Sequence, residues 1–454
     1  MAFFSLLVLI AIILYGTAFS KLPPVLPLIT AAILACVIGK YLGFQWKELQ
    51  DGMFDSLSRV WPAIILLIAV GMLVGVWILA GTIPMIIYWG LELISPSSFL
   101  VTTFFLCIIA STMTGTSFGT MGTMGVALLG VGTALGYPLP MIVGAIVSGA
   151  YFGDKVSPVS SSTNITASIC EVDLFSHIGS MMWTTIPTLI VTALIYIFMG
   201  MQHSAAEVSS NIPALLAALK ATFNLSVWTL VPPVFLVALA YRRYPAIPII
   251  IFCIFLGAFI AWGVQGQSLP AIANSMVNGY VGKTGLPQLD NLLSRGGINS
   301  IMSTIMLLIA AVSFGGVLER IRILEVLVEA TVKWAVNTGR LIVAVLLSGY
   351  IMLVGTGSQM VTIVIPGRAF APVFKERNIH PRVLSRTVED SGVIAAPLLP
   401  WSVHAFYILG ILGASAYDFA PYAFMCWLVP FFSVLFGYTG IAIWKTDGTS
   451  VRGS

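Results

Sequence analysis

The stretch Phe152-Gly153-Asp154-Lys155-Val156-Ser157-Pro158-Val159-Ser160-Ser161-Ser162-Thr163-Asn164 sets a carboxylate, an ammonium, five hydroxyls and an amide between long apolar runs. Hard cations take oxygen ligands, and a monovalent ion such as sodium follows the same logic. Asp154 offers the charge, while Ser157, Ser160, Ser161, Ser162, Thr163 and Asn164 offer neutral oxygens. Gly153 and Pro158 loosen any helix here, so nearby carbonyls lose their i→i−4 partners and become available as further ligands. Lys155 falls on a different helical face from Asp154 and need not neutralise it. A carboxylate so placed can hold a cation or a proton but not comfortably both, which is the physical requirement for exchange.

A second polar stretch runs Glu389-Asp390-Ser391-Gly392, then Pro397-Leu398-Leu399-Pro400-Trp401-Ser402-Val403-His404. Asp390 reads as the counterpart of Asp154, with Ser391 beside it. Glu389 could cap a helix N-terminus, where the dipole favours negative charge, or pair with Arg386. The two prolines expose backbone oxygens again. His404 is the one of the four histidines that sits inside an apolar window. A hydrogen-bonded core histidine and a proton-linked or substrate-contacting one are both open readings. Thr114-Gly115-Thr116-Ser117 in the first half and Gly355-Thr356 in the second are places where a helix can stop. Interrupted helices at matching places in two halves point to a transporter's substrate pathway, to which Trp401, Ser402 and His404 are also assigned.

The elements that must position these groups are transmembrane helices. The 454 residues are 58% hydrophobic and only 8% charged, with a mean hydropathy of +1.01. A soluble domain carries about 25% charged residues, so this chain cannot clothe a water-facing surface. A spanning helix needs roughly 20 apolar residues, and roughly ten to thirteen such windows fit. The runs do not alternate, which excludes a β-barrel. The fold expected is therefore an all-α polytopic membrane protein.

A net charge of +4 leaves no footprint for nucleic acid. The five cysteines are scattered without metal spacing and read as structural thiols. No Walker A, dinucleotide or zinc motif is present, so neither an enzyme nor a cofactor is expected. The window Ala2 to Phe19 reads as a retained helix. The basic turn Arg242-Arg243 and the stretch Lys375 to Arg386 are the candidate cytoplasmic loops.

Two halves echo each other. Ile64-Ile65-Leu66-Leu67-Ile68-Ala69 resembles Ile305-Met306-Leu307-Leu308-Ile309-Ala310, and the Gly-Thr and acidic motifs follow at a separation of about 240 residues. The expected organisation is an N-terminal half over 1–200 with its core at about 55–200, and a connecting region with two helices over 201–300. A second repeat follows over 301–445, then a polar tail over 446–454.

The first motif resembles the GDKxSPxSDTTN pattern of NhaC-type Na+/H+ antiporters, a family that includes sodium-linked malate/lactate exchangers. Glu389-Asp390-Ser391-Gly392 through Trp401 is similar to the EDSG…PLIPW segment of that family. The resemblance implies two inverted repeats, each with a re-entrant hairpin and a broken helix. It also implies a possible homodimer in the bacterial inner membrane, with sodium and protons as transported ions. It supports Asp154, Ser157, Ser160, Thr163, Asn164, Asp390, Ser391 and Trp401 as site residues, with Asp154 and Asp390 as the sodium-binding pair. Two departures stand out: Ser161 replaces the family's usual second aspartate, and Ser402-Val403-His404 replaces an Asn-Thr-Cys-like run. The first reading is Na+/H+ antiport. The alternative is a Na+- or H+-coupled exchanger of a small organic anion or amino acid.

Overall fold

A computed structural model describes residues 2–16, 22–202, 205–242, 244–446 and 449. Arg243 and most of the polar tail lie outside the described residues, as does the end of the first apolar window. The chain is all-α: among the described residues the only β pairing is an isolated bridge between Ile379 and Lys445.

Among the described residues, six helices are long and apolar enough to cross a membrane, with up to three more if bent pairs count as single spans. The longest are Trp46–Leu79, Leu174–Gln202 and Ile298–Arg320. The bent pairs include Pro381–Leu398 with Val403–Leu412, and Ala416–Tyr422 with Phe424–Thr439. The apolar windows suggested ten to thirteen segments. The lower number reflects windows that resolve into broken pieces, such as Ser117–Thr120, a π turn at Met121–Gly125 and Val126–Ala134.

The echoing windows of the two halves lie on Trp46–Leu79 and Ile298–Arg320, and these helices pack directly on each other. The contact is close enough that a Cβ on Gly316 would stand 2.4 Å from the Gly52 carbonyl oxygen. Small residues that let backbones approach are the usual means of packing helices in lipid, where apolar surface alone supplies no drive.

The connecting region holds helices Ala205–Thr222, Val231–Tyr241 and Ala246–Gly263. Its polar link carries two short helices, Leu269–Asn278 and Pro287–Leu293, and is fastened back by Gly297 N–H to the Gly71 carbonyl at 2.7 Å.

Four helix breaks position the site. In the first half, Phe99–Thr114 ends on Gly115 with φ +65°, and a helix restarts at Ser117. Leu139–Val156 ends at Ser157, and Ser161–Ile169 restarts beyond Pro158. In the second half, Thr338–Thr356 ends on Gly357 with φ +64°, and Gln359–Glu376 restarts. The Glu389–Val393 π turn and Ala396–Leu398 then lead to a restart at Val403. Positive φ at a helix C-terminus is the left-handed cap that glycine adopts without steric cost.

Candidate functional site

Within each half the two breaks touch. A Cβ on Gly115 would meet the Val159 side chain at 2.5 Å and the Ser160 nitrogen at 3.0 Å. In the second half the Gly357 carbonyl accepts from Val403 N–H at 3.1 Å. Between the two crossings lies a cavity of about 510 Å³, lined by Gly115, Thr116, Ser117 and Phe118 from one half and Ser358, Gln359, Met360, Val403 and His404 from the other. Asp154, Ser161 and Arg59 also face it.

Asp154 is its one carboxylate among the described lining residues. Ser160 donates its hydroxyl to Asp154 Oδ1 at 2.6 Å, and Ser117 N–H donates to Oδ2 at 3.1 Å. Charge-assisted bonds of this kind are the strong ones, and they hold the carboxylate at the crossing. Thr163 Oγ1 reaches the carbonyls of Asp154 and Lys155 at 3.3 and 3.0 Å. Asn164 Nδ2 donates to the carbonyls of Pro158 and Ser160 at 2.9 and 2.7 Å. Ser157 Oγ donates to the Thr112 carbonyl at 2.8 Å. Thr163, Asn164 and Ser157 therefore brace the break, while Asp154, Ser161, Gly115, Thr116 and Ser117 face the cavity.

Asp390 does not line this cavity. Its Oδ1 accepts from Lys155 Nζ at 2.6 Å and from Thr184 Oγ1 at 3.2 Å, and both charged side chains are buried. Lys155 indeed leaves Asp154 alone, but it does so by crossing to the other half. Glu389 is not paired with Arg386 among the ion pairs of the described residues; its Oε1 accepts from Thr166 at 2.7 Å. Ser391 Oγ donates to the Val388 carbonyl at 2.6 Å.

The repeat register also shifts. Gly115 with Gly357, Thr116 with Ser358, and Ser160 with Ser402 share one separation along the chain as matching caps. That separation pairs Asp154 with Ala396 rather than Asp390. The second-half stop accordingly falls at Gly357, not at Gly355-Thr356. Thr356 Oγ1 donates to the Met352 carbonyl at 2.7 Å, and Gly355 packs on Leu324. Trp401 Nε1 donates to the Val354 carbonyl at 2.9 Å. Ser402 caps Ala405 N–H at 2.9 Å, and Thr114 Oγ1 lies 3.4 Å from that of Thr120.

His404 lines the cavity and is joined through Nδ1 to the Tyr151 hydroxyl. Its ring lies 4.6 Å from that of Phe118, which stacks on Tyr407 at 4.3 Å. Tyr407 in turn donates to the Phe118 carbonyl at 2.8 Å. Phe118, Tyr151 and Tyr407 carry no sequence signal, since aromatic residues in apolar windows look like packing, and Gln359 and Arg59 stand outside the polar motifs. Arg59 pairs with Glu319 and bonds Ser56 Oγ at 2.7 Å. It separates the cavity from a charged hollow of about 390 Å³ that also contains Glu48, Asp55, Arg320 and Glu325.

Helices interrupted at matching places in two halves are the arrangement of a secondary transporter. The chain belongs to the Na+/H+ antiporter family, which it matches over residues 149–441. It is 39% identical over 439 residues to the Na+/H+ antiporter NhaC of Alkalihalophilus pseudofirmus, covering 96% of this chain and 95% of the relative. It is 34% identical to the malate-2H+/Na+-lactate antiporter of Bacillus subtilis, covering 98% and 95%. It is also 32% identical to the arginine/ornithine antiporter ArcD of Halobacterium salinarum, covering 97% and 91%. With its apolar helices, this family makes the chain a multi-pass protein of the bacterial inner membrane.

Proposed function

We propose that the protein exchanges Na+ for H+ through Asp154, which binds one or the other at the crossing of the two first-half breaks. The observation that supports this best is Asp154 facing a cavity walled by broken apolar helices, the one carboxylate among its described lining residues, held by Ser160 and the Ser117 N–H. An ionisable group among membrane-spanning helices is costly and marks a transport pathway by default. Thr116, Ser117 and Ser161 supply neutral oxygens beside it. A proton on Asp154 removes the charge that attracts the cation, so the two ions take turns and their gradients are coupled. A homodimer is the assembly in which we expect this cycle to run.

A second reading has its own observation. The helices that restart at Ser117, Ser161, Gln359 and Val403 all begin at the cavity. Ser160 and Ser358, at two of these starts, make no side-chain cap to the free N–H groups. Each helix start carries roughly half a positive charge, and in transporters such starts face anionic groups of the substrate. A small carboxylate travelling with the cation would satisfy them.

One experiment decides between the readings. Protein is reconstituted in liposomes under a sodium gradient, and internal pH is followed with and without added carboxylates or amino acids. A pH change driven by sodium alone supports bare antiport. Silence until an organic solute is added overturns it in favour of the second reading.

A further inference from the structure

We infer that Lys155 is a tethered cation filling the ion position that Asp390 would otherwise offer, so that the protein carries one Na+ per cycle, bound at Asp154. This inference rests on the assignment of Asp154 as the sodium site. Lys155 and Asp154 are neighbours in the last turn of Leu139–Val156, but their side chains serve different places. Asp154 faces the cavity, and Lys155 reaches into the contact with the second half.

There its ammonium stands 2.6 Å from Asp390 Oδ1, with the lysine side chain 2% exposed and the aspartate 0%. Thr184 Oγ1 shares that oxygen at 3.2 Å. Asp390 Oδ2 meets no hydrogen-bond donor among the described residues. Asp390 sits on the Glu389–Val393 π turn, where Ser391 leaves helical geometry with φ −97° and ψ −120°. Such a bend releases main-chain carbonyls.

A carboxylate, a hydroxyl and a disturbed helix are the same kinds of oxygen source found around Asp154. What differs is that a compact ammonium on a flexible stem already occupies the position. The neighbouring charges do not replace it. Glu389 bonds Thr166, and Arg386 donates to the Ala442 carbonyl at 3.0 Å. Removing the ammonium would leave a buried carboxylate whose remaining charged neighbour, Arg386, is hydrogen-bonded elsewhere; it then takes up Na+ or a proton, or loses its structure.

The test uses the full-length protein in detergent micelles, with melting temperature compared between NaCl and choline chloride. Asp154→Asn is expected to lose the sodium-dependent rise in melting temperature. Asp154→Asn with Lys155→Gln is expected to regain one, and adding Asp390→Asn to lose it again. A folded Asp154→Asn/Lys155→Gln protein with no sodium response overturns the inference.

Calorimetry supplies a second measure that does not depend on the double variant folding. Wild-type protein binding one Na+ supports the inference, and wild-type protein binding two overturns it. If Asp154→Asn alone keeps the whole sodium response, the Asp154 assignment fails instead. The Lys155 inference is then decided by whether Lys155→Gln binds one more Na+ than wild type. An equal number overturns it.

Discussion

Ser160 and Ser402 occupy matching helix starts in the two halves, yet they give their hydroxyl protons to different acceptors. Ser160 donates to Asp154 Oδ1 at 2.6 Å, whereas Ser402 donates to the Ala396 carbonyl at 2.5 Å. The position matching Asp154 in the second half is thus an alanine with no charge to offer. The matching breaks of the two halves therefore differ in charge, and the carboxylate that faces the cavity comes from the first half.

That asymmetry predicts opposite phenotypes for two identical substitutions. Ser160→Ala removes a bond to a charged acceptor, worth about 1.5–3 kcal/mol, so the sodium KM should rise at least tenfold with folding intact. Ser402→Ala removes a helix cap, worth about 1 kcal/mol, so it should lower thermal stability while leaving the sodium KM within about twofold. Sodium titrations of transport alongside melting curves separate the two. Equal KM effects would contradict the assignment.

Asp154→Asn should abolish coupled exchange in proteoliposomes. A neutral amide keeps the shape and loses the charge, and Na+ affinity should fall roughly 100-fold, equivalent to ~3 kcal/mol. The variant should still enter the membrane, because no ion pair among the described residues depends on Asp154. Unchanged sodium-driven proton movement would refute its role.

The turning glycines should tolerate no side chain. Gly357→Ala imposes a left-handed alanine at a cost of about 1–2 kcal/mol and brings its Cβ to 2.9 Å from the Trp401 carbonyl oxygen. Gly115→Ala adds to that strain a clash with the Val159 side chain and the main chain of the crossing segment. It should be the more damaging of the two, both in melting temperature and in transport rate.

Arg59→Gln should affect ions more than folding. The Arg59–Glu319 pair is partly exposed, and such pairs contribute about 0–1 kcal/mol. Removing a positive charge from the cavity wall should lower the sodium KM modestly. The difference from wild type should shrink as an inert salt is added, because screening removes it.

The membrane class, the helix breaks and the Asp154 motif were legible in the sequence because each leaves a local trace. Gly115 stands between threonines where a helix can stop, and a run of hydroxyls in an apolar chain is visible at a glance. Asp390 was harder. Matching it to Asp154 by residue type misses the register that the caps of Gly115 and Gly357 define, and its partner Lys155 lies 235 residues away. Phe118 and Tyr407 were hidden for another reason: their stacking depends on two helices from different halves, and helical spacing alone marks both as ordinary core.

The Lys155–Asp390 pair carries a consequence for biosynthesis. At about 5–20 residues per second, the ribosome reaches Asp390 roughly 10 to 50 s after it has made Lys155. Throughout that interval the first half already contains an ammonium destined for the membrane interior, with its counter-ion still unmade. The nascent chain must keep this segment hydrated or sheltered at the insertion machinery until the second half arrives. The final seating of Leu139–Val156 is therefore expected to await the second half, although the helix itself is among the earlier ones to be synthesised.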